Sequence, residues 1–320
     1  MNEPMSPAIS VVIPAFRVAP YIATTLESVF QQTVTDLEVL VVNDGSPDTA
    51  ALRETVAPYR DRIRYIEQPQ GGPSKARNTA IAAARGELLA FLDGDDLWAP
   101  TCLASLQALL AAAPDAVLAW ADSRPFGVGV PPDAPTLMAS EPPEGPCDVT
   151  ALLTGRCVVF TSTVLVRRRA VLDVGGFDET LHRCEDFDLW LRLAMRGRLL
   201  YTRDILGHRR LHPSSQSASP AAMLRAQVAV RQRFVAATPL DDDARRAAEA
   251  ADRRCEAQLA LADGHRLLAD GDAVGARRAL ALAAESLPSV KLAATLRLLA
   301  VAPSIAIALQ RWRRGSVAHG

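Results

Sequence analysis

The chain has 320 residues, of which 49% are hydrophobic and 22% charged. It can therefore bury a sizeable core, and its composition is not that of a disordered protein. Its formal net charge of −1 argues against a nucleic-acid-binding protein, because such proteins are basic. Residues 1–150 carry 9 basic and 19 acidic side chains, whereas residues 151–320 carry 26 basic and 17 acidic ones. The length predicts about two domains, and the charge difference indicates that the two halves have different partners.

Cysteine usage and hydropathy favour a cytoplasmic protein. The five cysteines are odd in number and form no C-x-x-C pair, which predicts reduced, scattered thiols and no zinc site. The first seven residues lack the basic and apolar regions of a signal peptide. The most apolar stretch, Leu298 to Leu309, is too short to span a bilayer and contains Pro303.

Short apolar runs alternate with helical periodicity in the first hundred residues. The predicted strands are Ile9–Ile13, Leu37–Val42, Ile63–Ile66 and Leu88–Leu92. The predicted helices are Tyr21–Gln32, Asp48–Tyr59 and an Ala-rich helix from an N-cap at Ser74 to Arg85. This alternation predicts an α/β fold in which helices cover both faces of a parallel sheet.

The second hundred residues continue this pattern, and a helical region follows. We predict strands at Ala116–Trp120, Cys157–Val166 and Leu199–Ile205, a surface loop at 125–147 and an amphipathic helix at Asp186–Arg196. A Ser-rich break at Pro213–Pro220 predicts domains at residues 1–215 and 220–320. The second domain is predicted to be α-helical, and its residues 259–284 resemble one tetratricopeptide-like helix pair.

Three predicted strands end in special turns or acids. These turns are Pro14-Ala15-Phe16, Asn43-Asp44-Gly45-Ser46 and Asp93-Gly94-Asp95-Asp96. Ligands of open α/β sheets bind beyond the carboxyl ends of the strands. Carboxylates there suit sugar hydroxyls or a divalent cation whose shell is completed by phosphate oxygens and water. A run of Asp is also common in solvated turns, so spacing alone leaves both interpretations open.

The motifs around these turns resemble one family. ISVVIPAF and VVNDGSPD, followed by GGPSKARN and FLDGDDLW, resemble the nucleotide-binding half of the family 2 inverting glycosyltransferases. VGGFDE and EDFDLWLRL resemble the acceptor-side segment of that family, and the whole resemblance covers about residues 8–215. It implies a GT-A-like nucleotide-diphospho-sugar transferase domain with a mostly parallel central sheet.

The resemblance assigns nucleotide-binding roles. It implies that Pro14, Phe16 and Asp44 border the nucleobase, with Asp44 accepting a hydrogen bond from the base ring. It also implies that Arg77 approaches the nucleotide and that Asp93 lies near the ribose. Judged from the residues alone, the alternatives are that Asp44 only stabilises a turn and that Arg77 is a surface helix residue.

The resemblance also implies a metal and a catalytic base. Asp95 and His212 are the expected ligands of Mn²⁺ or Mg²⁺, with Asp96 an adjacent carboxylate that sequence does not distinguish from Asp95. A surface-loop histidine is the alternative for His212. Asp186 stands where the family keeps its base, beside Glu185. A favourable interaction of this acidic pair with a helix dipole would explain both residues without catalysis.

The implied activity is inverting, metal-dependent transfer of a single sugar from a nucleoside-diphosphate sugar, with UDP preferred. The acceptor would be a hydroxyl of a glycan, a lipid-linked oligosaccharide or a protein, in cell-surface polysaccharide or glycoconjugate synthesis. Single transfer is favoured because we find neither Gln-x-x-Arg-Trp after Asp186 nor a predicted transmembrane segment, both of which are expected of processive synthases. The alternative is a non-catalytic nucleotide-sugar-binding or scaffold protein that acts through its helical tail.

The tail has a composition that suits a membrane surface. From Ala221 onward it carries 15 basic and 10 acidic residues, and Arg311-Trp312-Arg313-Arg314 lies near its end. A Trp between arginines beside an apolar segment suits an anionic interface, which predicts peripheral contact with the inner face of the membrane. Packing of the tail on its own domain, or on a second copy, is the alternative.

Overall fold

The computed structural model describes residues 7–212 and 219–317, with side chains described as far as residue 310. By its contacts the chain divides into two compact units, Met1–Ala218 and Ser219–Gly320. The first unit contains the sheet and the motifs discussed above. The second consists of helices. Each unit is described separately.

An eight-stranded sheet forms the centre of the first unit. Its strands are β1 (Ile9–Ala15), β2 (Leu37–Asp44), β3 (Arg64–Gln68), β4 (Leu88–Phe91), β5 (Leu97–Trp98), β6 (Ala116–Phe126), β7 (Val164–Arg167) and β8 (Arg198–Arg210). Their spatial order is β3-β2-β1-β4-β7-β6-β8-β5. Strands β1 to β4 pair in parallel, as do β6 and β8, whereas β7 and β5 run antiparallel to their neighbours. The predicted mostly parallel α/β sheet is confirmed.

Helices cover the sheet of the first unit. They are α1 (Ile22–Phe30), α2 (Thr49–Val56), α3 (Pro73–Ala83), α4 (Cys102–Ala112), α5 (Leu137–Ser140), α6 (Val149–Thr154), α7 (Arg168–Asp173) and α8 (Glu185–Ala194). Val11, Val12 and Ile13 are all fully buried, although successive side chains of a strand point to opposite faces. Burial on both faces explains why β1 is a continuous apolar run rather than an alternating pattern.

Several predicted boundaries differ from the structure, and three of these differences lie near the motifs. Helix α3 begins at Pro73 after Gly72, whose φ of 87° is left-handed, so Ser74 is the second helical residue and not the N-cap. The predicted strand Cys157–Val166 is wrong in its first part, because Thr161–Thr163 form a 3₁₀ turn before β7. Their hydroxyls bond to neighbouring segments instead of leaving the backbone to a ladder. The predicted loop 125–147 contains the end of β6 and helix α5.

The prediction of five reduced thiols is wrong for one pair. Cys147 and Cys157 form a disulfide, with their Cα atoms 5.7 Å apart. Helix α6 lies between them and is capped by Gly155, whose left-handed φ of 75° turns the chain back. This turn brings together two cysteines that sequence spacing did not pair. Cys147 and Cys157 are therefore not reduced thiols, and this pair does not favour a cytoplasmic location.

The second unit is helical, as predicted. It contains α9 (Pro220–Ala237), α10 (Asp242–Asp270), α11 (Ala273–Ser286), α12 (Val290–Val301) and α13 (Pro303–Val317). Helices α10 and α11 pack so closely at Gly264 that an added Cβ would lie 2.6 Å from the side chain of Leu280. Among residues 7–212 and 219–317, no helix has both the length and the hydropathy needed to cross a bilayer.

A buried carboxylate joins three segments at the end of the sheet opposite the strand-end acids. Glu38 Oε1 accepts hydrogen bonds from the Ser10 hydroxyl at 2.7 Å and from the Arg85 backbone N–H at 2.6 Å. Its Oε2 accepts from the guanidinium groups of Arg64 and Arg85, both at 3.1 Å. Burial raises the pKa of Glu38, but these donors together outweigh burial and hold the pKa below its ordinary value of 4.5.

We expect Glu38→Gln to lower the free energy of unfolding at pH 7 by about 1–3 kcal/mol, because donors that face the carboxylate lose their acceptor. A carboxylate with a lowered folded-state pKa stabilises the protein above its unfolded pKa and loses that effect as the pH falls through the folded value. The difference between variant and wild type should therefore narrow below about pH 4.5. Urea unfolding at pH 7 and pH 4 measures both effects. Glu54→Gln, at an exposed position of α2, is the control; equal midpoints for E38Q and wild type at pH 7 would refute the expectation.

Candidate active site

The loops that follow β1 and β2 are fastened to each other at the carboxyl edge of the sheet. The Arg17 N–H donates to Ser46 Oγ at 2.7 Å, and the Ala19 N–H donates to Asp48 Oδ2 at 3.1 Å. Pro14 is the penultimate residue of β1, Phe16 follows that strand directly, and both are half-buried. These two of the three predicted nucleobase neighbours therefore lie at the edge where a ligand of this kind of sheet binds.

Asp44, the last residue of β2, anchors the loop that leads into α3. Its Oδ1 accepts hydrogen bonds from the Gly71 N–H at 2.8 Å and from Gln68 Nε2 at 2.7 Å, and its Oδ2 accepts from the Gly72 N–H at 2.7 Å. The side chain is buried. Asp44 thus stabilises a loop far from it in sequence. A nucleobase donor would need a remaining lone pair of this carboxylate.

Arg77 is a buried bridge between two carboxylates. One of its terminal nitrogens donates to Asp93 Oδ1 at 2.7 Å and the other to Glu185 Oε1 at 2.9 Å. Its side chain is only 6% exposed, so the alternative of a surface helix residue is wrong. Burial lowers the pKa of Arg77, but the charges of Asp93 and Glu185 raise it more, and the net shift is upward. The fork of the guanidinium suits this geometry, because each of two nitrogens faces one carboxylate.

Two carboxylates of the acidic loop Asp93–Asp96, those of Asp95 and Asp96, have different surroundings. Asp96 is held by the protein: its Oδ1 accepts from the Arg210 N–H at 2.8 Å and its Oδ2 from the Ser162 hydroxyl at 2.6 Å. Burial, together with the charges of Asp93 and Asp95, raises the pKa of Asp96. In contrast, Asp95 Oδ2 lies 2.8 Å from His212 Nε2, with the two side chains 20% and 14% exposed.

Gly94 lets the acidic loop lie against the first strand. A Cβ at this position would be 3.0 Å from the side chain of Val18 and 3.1 Å from the carbonyl oxygen of Pro14. The Thr25 hydroxyl donates to the carbonyl oxygens of both Gly94 and Asp96, at 3.1 and 2.9 Å. The acidic loop is therefore fixed by α1 and β1, which is how it can present Asp95 in a defined direction.

Asp95 and His212 fit a divalent cation. A carboxylate oxygen and an imidazole nitrogen are suitable ligands for Mn²⁺, and two cis ligands about 2.1 Å from an octahedral cation lie about 3.0 Å apart. Within the ranges that the structure describes, no three His, Cys, Asp or Glu side chains form a complete site. Nucleotide-bound Mg²⁺ characteristically uses one or two protein carboxylates and completes its shell with phosphate oxygens and water.

Two residues that sequence reasoning missed surround His212. The Tyr21 ring lies 5.2 Å from the His212 ring, and the Arg210 guanidinium lies 4.8 Å from the centre of the Tyr21 ring. Arg210 also donates through Nε to the carbonyl oxygen of Asp95 at 2.9 Å. The signal that the sequence offered for Arg210 was its place among the basic residues His208, Arg209 and His212. Nothing pointed to Tyr21.

Asp186 and Glu185 open helix α8 but have different surroundings. Glu185 is buried against Arg77; burial raises its pKa, Arg77 opposes that shift and the Asp186 charge adds to it. Asp186 is half-buried, and its Oδ1 accepts from the Phe187 N–H at 2.8 Å while its Oδ2 accepts from the Thr161 hydroxyl at 2.7 Å. The partial exposure of Asp186 leaves it the more accessible of the two. Both also stand in the first turn, where the helix dipole favours acids.

Comparison with protein families decides the classification. The profile described as "Glycosyl transferase family 2" matches residues 10–170, about half of the chain. The chain belongs to glycosyl transferase family 2. A further profile, described as "Glycosyltransferase like family 2", matches residues 153–212, which include Asp186 and His212. The two matches together cover all of the predicted site residues.

Relatives in the family include synthases of polysaccharides. The family 2 chain is 45% identical to the glycosyltransferase EpsJ of Bacillus subtilis over 93 residues, which cover 29% of this chain and 27% of EpsJ. It is 31% identical to chondroitin synthase of Pasteurella multocida over 217 residues, which cover 66% of this chain and 21% of the synthase. The chain thus aligns with only about a quarter of the length of each of these two relatives.

Solved structures of low sequence identity share the fold. TarS of S. aureus in complex with UDP-GlcNAc superposes with a TM-score of 0.63 at 20% identity, covering 97% of this chain and 92% of that one. The mannosyltransferase PcManGT of Pyrobaculum calidifontis, in complex with GDP-Man and Mn²⁺, gives a TM-score of 0.62 at 21% identity, covering 96% and 88%. The predicted GT-A-like fold of this family 2 member is confirmed.

Proposed function

We propose that this family 2 member is an inverting, metal-dependent glycosyltransferase that moves a single sugar from a nucleoside-diphosphate sugar, preferably a UDP-sugar, to a hydroxyl acceptor. One observation carries the proposal. Arg77 contacts Asp93 on the proposed nucleotide side and Glu185 beside the proposed base Asp186, so both halves of the reaction meet at one edge of the sheet. The complexes of TarS with UDP-GlcNAc and of PcManGT with GDP-Man and Mn²⁺ support this class of donor.

The proposed reaction breaks one bond and forms another at the anomeric carbon. The acceptor oxygen attacks that carbon from the face opposite the diphosphate, the bond to the diphosphate oxygen breaks with its electron pair, and the configuration inverts. Asp186 accepts the proton of the attacking hydroxyl. A cation held by Asp95 and His212 would supply electrostatic stabilisation of the charge on the departing diphosphate. Pro14, Phe16, Asp44, Arg77 and Asp93 would bind the nucleotide.

A screen of nucleoside-diphosphate sugars with Mn²⁺ tests this proposal. A donor that binds only the folded protein stabilises it by about 2.7 kcal/mol when the donor concentration is 100 times its Kd, and this raises the melting temperature measurably. We expect UDP-sugars to raise it and to release UDP when turned over. If no nucleoside-diphosphate sugar with Mn²⁺ changes the melting temperature, the alternative of a non-catalytic scaffold protein gains support.

The metal assignment makes its own prediction. We expect Asp95→Asn and His212→Ala each to abolish the extra stabilisation that Mn²⁺ adds to UDP, because each removes one of the two proposed ligands. Asp96→Asn should lower the melting temperature of the protein alone but keep the Mn²⁺-dependent increment, since both Asp96 oxygens already accept protein donors. Thermal unfolding with UDP, with and without Mn²⁺ or EDTA, measures this. Retention of the increment in D95N, or its loss only in D96N, would contradict the assignment.

The acceptor and location belong to the same proposal. We expect a glycan, lipid-linked or protein hydroxyl in cell-surface polysaccharide or glycoconjugate synthesis, and a cytoplasmic enzyme in contact with the inner face of the membrane. Ile305 and Leu309 of α13 are 56% and 46% exposed, and the basic run Arg311–Arg314 that follows them lies outside the described side chains. Apolar residues beside arginines suit an anionic interface.

Vesicle sedimentation tests the membrane contact. The protein should sediment with vesicles that contain phosphatidylserine and not with pure phosphatidylcholine. The triple variant R311S, R313S, R314S should bind about a hundredfold less, at about 1 kcal/mol per basic residue. Rising salt should weaken binding in the same way. No sedimentation of the wild type with the anionic vesicles would refute the contact and leave the transfer proposal untouched.

A further inference from the structure

The 3₁₀ turn Thr161–Thr163 touches both halves of the proposed site. Thr161 Oγ1 donates to Asp186 Oδ2 at 2.7 Å, and its neighbour Ser162 donates to Asp96 Oδ2 at 2.6 Å. Ser162 Oγ also accepts the backbone N–H of Asp93 at 3.2 Å. Two consecutive hydroxyls thus connect the start of helix α8 with the acidic loop.

The turn is itself held rigidly. Thr163 Oγ1 donates to the carbonyl oxygen of Ala121 in β6 at 2.8 Å, and the Trp98 indole N–H donates to the carbonyl oxygen of Ser162. Thr161, Ser162 and Thr163 are at most 5% exposed. A hydroxyl on so well-anchored a turn has a fixed position, so a carboxylate that accepts from it is oriented by the sheet as well as by its own helix.

The two oxygens of Asp186 have donors on different elements. Oδ1 accepts from the Phe187 N–H within helix α8, and Oδ2 accepts from Thr161 outside it. The first contact joins neighbouring residues of the same helix, so it is local and does not connect Asp186 to any other element. The second fixes the rotation of the carboxylate plane relative to the acidic loop. Of these two hydrogen bonds, the one from Thr161 therefore sets the position of Asp186 relative to a donor bound at the acidic loop.

We propose that Thr161 is a positioning residue for Asp186: its hydroxyl holds the carboxylate in the orientation in which it receives the proton of the acceptor. The proposal rests on the proposed function, because it assumes that Asp186 is the base. A base that is misplaced by about 1 Å can cost about a hundredfold in rate, whereas donor binding at the opposite side of the site is unaffected. The effect should therefore fall on kcat and spare KM.

The test compares Thr161→Val, which keeps the shape and removes the hydroxyl, with Thr161→Ser, which keeps the hydroxyl. Release of UDP from a UDP-sugar with Mn²⁺ should show kcat lowered about ten- to hundredfold in T161V with an unchanged KM for the donor, and recovery to within about threefold of wild type in T161S. Thr163→Val removes one anchor of the turn but leaves the Thr161 hydroxyl in place, so it should lower the melting temperature at least as much as T161V but reduce kcat far less.

Different outcomes separate this inference from the proposed function. The double variant T161V, D186N should be no slower than D186N alone, because Thr161 acts only through Asp186. Wild-type kcat in T161V while D186N is inactive would overturn the role of Thr161 and leave the proposed function standing. Equal kcat losses in T161V and T163V, or no recovery in T161S, would reduce Thr161 to a structural residue. If D186N keeps wild-type kcat, or the wild type releases UDP from no UDP-sugar, the proposed function fails and this inference with it.

Discussion

Asp186→Asn is expected to lower kcat for sugar transfer by about 10²- to 10⁴-fold, the range that a general base contributes. Asn has nearly the same shape, and its side-chain oxygen can still accept from the Thr161 hydroxyl, but its amide nitrogen cannot take up a proton. The change should leave donor binding intact, so UDP with Mn²⁺ should raise the melting temperatures of D186N and wild type equally. Initial rates of UDP release at saturating donor and acceptor measure the loss.

Asp188→Asn is the matched control on the same helix. Asp188 is buried and its Oδ2 forms an ion pair with Arg192 at 2.7 Å, so D188N should lower the free energy of unfolding by about 1–3 kcal/mol. It should nevertheless retain kcat within about threefold of wild type, since it alters helix stability and no proposed proton acceptor. Unchanged kcat in D186N, or equal losses in D186N and D188N, would remove Asp186 as the base.

Arg77→Met is expected to give the largest loss of stability of any single change in the site, about 3–5 kcal/mol, because it leaves the buried Glu185 carboxylate without its cation. Arg77→Lys should cost less than R77M yet still destabilise, since one ammonium cannot reproduce the fork that faces Asp93 and Glu185 together. Urea unfolding at neutral pH measures both, and the Lys variant provides a measurable state if R77M does not fold.

The loss of unfolding free energy in R77M should depend on the Glu185 charge that the substitution leaves unpaired. Adding Glu185→Gln to R77M removes the unpaired carboxylate and is expected to restore at least about 1 kcal/mol, a coupling typical of residues in direct contact. Arg53→Met is the control, because the Arg53–Glu67 pair has the same chemistry with side chains 56% and 37% exposed and should contribute less than about 1 kcal/mol. Equal effects at positions 53 and 77 would contradict the importance of burial.

The acids at the carboxyl ends of strands β2 and β4 were predictable from sequence, but the different role of each acid was not. Strand ends are marked locally by apolar runs that stop at turn residues, which located Asp44, Asp93, Asp95 and Asp96. Which carboxylate accepts hydrogen bonds from the protein depends on donors that are distant in sequence. Arg210 and Ser162 donate to Asp96, and Gly71 and Gly72 donate to Asp44. Sequence could not separate Asp95 from Asp96 for this reason.

Thr161 shows how a correct pattern can lead to a wrong element. The run Cys157–Val166 is apolar and β-branched enough to predict a strand throughout, yet its three consecutive hydroxyl residues form a turn. That polar interruption was the available signal. The disulfide between Cys147 and Cys157 was missed in a similar way, because pairing of cysteines depends on where the chain turns back and not on their number.

The excess of acidic side chains in residues 1–150 includes the strand-end acids Asp44, Asp93, Asp95 and Asp96. Periodicity, turn residues and motifs are local properties of a sequence, so they were enough to predict the parallel sheet, the helical second unit, the family and the edge at which the acids gather. Three contacts could be seen only in the folded chain: Arg77 is a buried bridge to Glu185, Asp95 faces His212, and Thr161 donates to Asp186. These partners lie 108, 117 and 25 residues apart, respectively, so only the packing of distant elements brings them within hydrogen-bonding distance.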